Sequence, residues 1–79
     1  MPHINVKLYP SRTEEQKQQL ADAISKNVVA ITGCKDLSVS VAIEEIAPDD
    51  WPEKVYKPCI LEREWTLYKK PGYNPFQAS

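Results

Sequence analysis

Glycine is scarce in this chain, Gly33 and Gly72 being the whole supply among 79 residues, and that excludes a glycine-rich loop cradling a phosphate or a dinucleotide. Histidine is scarcer still. His3 stands alone and the two cysteines, Cys34 and Cys59, are far apart, so no metal-binding cluster and no Ser-His-Asp arrangement can be read from spacing. The cysteines also lack C-x-x-C spacing and any nearby secretory signal, which reads as reduced thiols in a cytoplasmic protein. No apolar run approaches the roughly 20 residues that cross a bilayer. Ten basic against eleven acidic side chains, a net charge of -1, leave no footprint for nucleic acid or an anionic membrane. The expected partner of such a soluble chain is a small molecule or another protein, and no cofactor or metal is implied.

What is present is 42% apolar content in one short chain, read as a single domain over residues 1–79. A chain of this size buries only roughly 60% of the surface it exposes when unfolded, so the core is expected to be thin. Ile4, Val6 and Leu8 alternate with His3, Asn5 and Lys7, the period-two pattern of a strand over residues 3–9 covered on one face. Thr13 with Gln16 fits a capping box, Glu14 and Glu15 suit a helix N-terminus, and Leu20, Ile24, Val28 and Ile31 form an apolar stripe that ends before Gly33. Leu37, Val39, Val41 and Ile43 alternate again, predicting a second strand parallel to the first across a β-α-β crossover.

The stretch APDDWPEKVYKP, with three prolines in twelve residues, predicts an irregular connector holding a helical turn near residues 52–56. Pro58 suits the first turn of a further helix reaching about residue 70, with Leu61, Trp65 and Tyr68 as its apolar face and PGY as its stop. Phe76 in the NPFQAS tail is expected to pack locally or against a partner subunit. Two parallel strands with helices make an α/β (α+β) unit whose sheet is too small to stand alone, and self-association is the simplest remedy.

The opening MPHINVKLYPSR places proline directly behind the initiator methionine. Methionine aminopeptidase generally removes methionine ahead of a small residue, so the mature chain is expected to start at Pro2, whose nitrogen is then a secondary amine held by its ring. A chain amine titrates at about 7.7 to 8.0, and a drop of about one unit, from a dry pocket or a nearby cation, leaves much of it neutral near pH 7. A well-placed base of this kind accelerates proton transfer by roughly 10²- to 10⁴-fold. Taken alone, Pro2 is equally consistent with an incidental Met-Pro start, and Arg12 with a solvated arginine pairing with Glu14 or Glu15. His3 by itself reads as a solvated strand residue.

PHINVKLYPSRTEEQKQQLADAI, KDLSVSVAIEEIAPDDW and KKPGY together resemble the 4-oxalocrotonate tautomerase family, and most closely its PptA-type members, over nearly the whole chain. The resemblance implies a β-α-β tautomerase-like fold with two parallel strands, a long crossover helix and a C-terminal helix, completed by oligomerisation. It implies an isomerase in which Pro2 shuttles a proton as general acid/base, Arg12 grips a substrate carboxylate, and Trp51 forms an apolar wall. A guanidinium suits its role, since it can hold a carboxylate through two parallel charge-assisted hydrogen bonds. The sequence departs from the hexameric members at Ser40, where they carry a second arginine. A monocarboxylate fits that loss, with the Ser40 hydroxyl, the Trp51 N–H or a water as the substitute donor.

The leading reading is thus a cofactor-independent keto-enol tautomerase of a small 2-oxo acid, an aryl pyruvate such as phenylpyruvate being the natural example. Ser40, His3 and Tyr56 stand behind Pro2, Arg12 and Trp51. One alternative is a hydratase or dehalogenase of the same superfamily with Asp50 or Glu53 activating water, although Tyr9 occupies the place where a further arginine would be expected. The other is a non-catalytic oligomeric binding module. PptA-type relatives point to a homodimer, a hexamer being the other arrangement the resemblance allows.

Overall fold

The structure, a computed structural model, describes residues 1–77. Ala78 and Ser79, the end of the NPFQAS tail, lie outside the described residues. Contacts divide the chain into two units, Met1–Glu45 and Ile46–Ser79.

In the first unit the alternating HINVKL segment forms strand β1, His3–Leu8, with Ile4, Val6 and Leu8 half-buried and His3 and Asn5 exposed. Helix α1, Glu14–Thr32, follows and packs against the sheet. Its start is fixed by a reciprocal cap: Gln16 N–H donates to Thr13 Oγ1 at 3.0 Å and Thr13 N–H donates to Gln16 Oε1 at 2.9 Å, which satisfies two otherwise orphaned donors. Its end is fixed by Gly33 at φ 77, whose N–H reaches Val29 C=O at 3.0 Å. That left-handed angle costs glycine little because it has no Cβ.

Strand β2, Ser40–Glu45, pairs parallel to β1 with His3 opposite Ser40 and Leu8 opposite Glu45. The alternation of residues 37–43 predicts an earlier start, and this is corrected by the structure. Leu37 sits in a 3₁₀ turn over Asp36–Ser38 and is 85% exposed. Ser38 explains the delay, since both its N–H, at 3.0 Å, and its hydroxyl, at 2.8 Å, donate to Lys35 C=O, a local alternative to the ladder. The apolar stripe of α1 is also shorter than its spacing suggests. Ile24 and Val28 are half-buried, but Leu20 and Ile31 are exposed, Ile31 to 83%.

The second unit opens with a 3₁₀ turn, Pro48–Asp50, each of its first positions free to take proline because no helical N–H is needed there. Trp51 links it to a π-helix, Pro52–Leu61. The helix predicted from residue 58 to about 70 is therefore displaced toward the N-terminus, and Pro58 lies inside it rather than in its first turn. A wide turn tolerates this: Glu62 N–H reaches back five residues to Lys57 C=O at 3.0 Å, whereas in an α-helix the proline ring would collide with the carbonyl four residues earlier.

Val55 and Tyr56, each 5% exposed, form the buried centre of this unit. Among the described residues only a short 3₁₀ turn, Glu64–Thr66, follows. Trp65 and Tyr68, expected on an apolar helix face, are exposed instead, Trp65 lying 5.7 Å from the Arg63 guanidinium. Phe76 packs locally, edge-on to Tyr56 at 6.0 Å. Cys34 and Cys59 are half-buried thiols. Among the described residues no helix is long and apolar enough to cross a membrane.

Candidate active site

Pro2 precedes β1 yet belongs to the ladder, because its carbonyl accepts the Ser40 N–H at 3.1 Å. A proline suits this place at the start of a strand, having no N–H to give. Pro2 is half-buried, on the same side of the strand as Ile4, while the Met1 side chain is wholly exposed. The strand therefore sets the direction of the prolyl nitrogen.

Arg12 follows the other end of β1. Ser11, just ahead of it, is held at φ 121, a left-handed angle that non-glycine residues rarely adopt and that recurs at ligand clamps. Arg12 Nη1 donates to Ser11 Oγ over a long 3.5 Å. Among the described residues the guanidinium makes no ion pair with Glu14 or Glu15; Glu14 instead takes Lys17 at 3.1 Å. Its forked donors thus face solvent, where a carboxylate could meet them.

Within one chain Pro2 and Arg12 stand at opposite ends of the sheet. Six residue steps separate Pro2 from Leu8, roughly 20 Å at about 3.3 Å each. Helix α1 begins at that far end too, since Lys17 meets Glu45 at 3.3 Å and Glu45 is the register partner of Leu8. No arginine side chain spans such a gap.

Ser40 shares a hydrogen bond of 2.6 Å with His3 Nδ1. The two are direct cross-strand partners, so a polar pair stands beside Pro2 in the ladder. This partnership was missed by sequence reasoning, although the parallel register of the two alternating runs held the signal.

Trp51 belongs to the second unit, where the junction of two helical turns holds it half-buried. Its indole N–H donates to the Tyr73 hydroxyl at 2.9 Å. Asp50 meets Lys54 at 3.4 Å in a solvent-exposed pair one turn apart. Tyr56, a second-rank candidate, is buried, and its hydroxyl donates to Tyr73 C=O at 3.0 Å. Tyr73 is the residue the sequence did not single out; KKPGY marked a helix stop, not a contact. Among the described residues no three His, Cys, Asp or Glu side chains gather to hold a metal ion.

The family described as Tautomerase enzyme matches residues 2–52. The chain is 44% identical over 75 residues to Tautomerase PptA of Pectobacterium carotovorum subsp. carotovorum, covering 94% of this chain and 99% of that one. It is 37% identical over 75 residues to Tautomerase PptA of Escherichia coli, again covering 94% of this chain and 99% of the other. Among solved structures it is similar to DmpI from Helicobacter pylori, with a TM-score of 0.56 and 39% identity over 58% of this chain and 78% of that one. It is also similar to a heterohexameric 4-oxalocrotonate tautomerase from Chloroflexus aurantiacus, with a TM-score of 0.63 and 28% identity over 68% of this chain and 87% of the other. With the family matching more than half of its length, and with two parallel strands and helices as in these neighbours, the chain belongs to the tautomerase family and is an isomerase.

Proposed function

We propose that the chain is a cofactor-independent keto-enol tautomerase of small 2-oxo acids, phenylpyruvate-like acids among them, acting in the cytoplasm as a homodimer. The working group is the imino nitrogen of Pro2, exposed by loss of Met1. The neutral amine removes the enol O–H proton, and the electrons of that bond form the ketone while the neighbouring carbon becomes basic. The prolinium N–H then protonates that carbon, so the proton count is unchanged. Arg12 binds the carboxylate through its fork, and Trp51 gives the aryl group an apolar wall.

Of the donors that could replace the second arginine, the Trp51 N–H is already given to Tyr73. Ser40 is the donor we assign to the substrate oxygen, in the tautomer where His3 Nδ1–H donates to Ser40 Oγ and leaves the serine O–H for the substrate. The observation that carries the reading is the seat of Pro2, locked to β2 through its carbonyl at 3.1 Å beside a wholly exposed Met1.

Because a strand's length separates Pro2 from Arg12, the proposed site is completed by a second copy. A two-fold pairing that sets two sheets antiparallel brings the Pro2 end of one beside the Arg12 end of its partner. The outer edges of the two-stranded sheet and the exposed Ile31 and Leu37 offer surface for that pairing.

Ketonisation of phenylenolpyruvate, followed by ultraviolet absorbance, tests the reading. Pro2→Ala is expected to lose about 10²- to 10⁴-fold in rate, and Arg12→Ala about 10- to 100-fold in kcat/KM. Equal rates in wild type and both variants, or a mass showing Met1 retained in the active protein, would sink it.

A further inference from the structure

The KKPGY segment takes no part in the proton transfer, yet its tyrosine touches the residue read as the pocket wall. Trp51 has a single N–H donor, and it is directed to the Tyr73 hydroxyl at 2.9 Å. Tyr73 is itself fixed twice. Its carbonyl accepts the Tyr56 hydroxyl at 3.0 Å, and its ring lies 5.4 Å from the Tyr56 ring at 53°. Tyr56 in turn is buried on the π-helix, with Phe76 packed edge-on against it. A chain of contacts therefore runs from the buried centre of the second unit through Tyr73 to the tip of the indole.

An indole on a half-buried turn has several staggered rotamers open to it. A fixed acceptor at its N–H selects the one that meets that acceptor. An aryl substrate gains from a flat wall only if the wall is already in place, since ordering a side chain on binding subtracts from affinity. We propose that Tyr73 is a positioning residue: anchored on Tyr56, it holds the Trp51 indole in one orientation and so sets the preference of the site for aryl over small aliphatic enol acids. This rests on the reading of Trp51 as the pocket wall. The C-terminal segment thereby becomes a specificity element rather than a mere closure of the fold.

The test is Tyr73→Phe in a Trp65→Phe background, where Trp51 supplies the one remaining indole N–H resonance. The variant keeps the ring and the carbonyl that Tyr56 binds, removing only the acceptor. The indole proton is expected to move upfield and exchange faster with solvent. The ratio of kcat/KM for phenylenolpyruvate to that for an aliphatic enol acid is expected to fall about 2- to 10-fold, the size of one neutral hydrogen bond, through KM. An unmoved resonance overturns the proposal. So does a moved resonance with both acids slowed alike, the mark of a merely structural tyrosine. Failure of the underlying reading looks different: wild type, with Tyr73 intact, would then show no Pro2-dependent turnover of either acid, and the selectivity claim falls with it while the resonance still reports the hydrogen bond.

Discussion

Lys17 carries more of the first unit than its charge suggests. Its amine, on a largely covered side chain, donates to Glu14 at 3.1 Å and meets Glu45 at 3.3 Å, tying the first turn of α1 to the end of β2. The Glu14 hydrogen bond is the chief cause of a pKa raised above the ordinary 10.5, Glu45 adding to it and partial burial pulling the other way. A pKa raised by folding contributes stability that is fully present below the unfolded value and is lost as pH climbs through the folded one. The gap in urea midpoint between wild type and Lys17→Met should therefore hold steady from neutral pH up to 10.5 and narrow above it. A gap that widens in alkali would contradict the assignment. Single residues were unevenly legible in the sequence. Pro2, Arg12 and Trp51 stood out because rare chemistry or a family motif marks them. Tyr73 and the His3–Ser40 pair did not, because their meaning lies in a partner 22 or 37 positions away.

Elements follow the strength of their local signals. Thr13 and Gln16 spelled out the start of α1 and Gly33 its end, and both caps form. Thr13→Ala is expected to cost about 1 kcal/mol of stability, measured by urea unfolding, while Thr13→Ser, which retains the hydroxyl, should cost much less. Equal losses in both would mean that the threonine methyl, not the cap, is at work. The helix after Trp51 starts earlier than Pro58 suggests for a physical reason: proline in a helix ordinarily marks its first turn, whereas here a wide π-type turn accommodates Pro58 within. Strand β2 was read from Leu37 because alternation alone cannot see that Ser38 satisfies itself locally.

The single chain as a whole buries little. Val55 and Tyr56 are its buried hydrophobic residues among those described, and no residue of α1 is fully buried. Ile31 and Leu37 remain more than four-fifths exposed, and covering such side chains is worth about 1.5 to 3 kcal/mol each. A second copy would therefore both cover apolar surface and bridge the strand length, roughly 20 Å from Pro2 to Leu8, that sets the Pro2 end of the sheet apart from the Arg12 end. Mixing the separately impaired Pro2→Ala and Arg12→Ala chains, unfolding them together and refolding, tests this most directly. In a two-fold dimer half of the refolded molecules are mixed, and each mixed dimer has one site with Pro2 from one chain and Arg12 from the other, so about one quarter of wild-type ketonisation should return. Activity no higher than the average of the two parent variants would contradict a shared site built on Pro2 and Arg12.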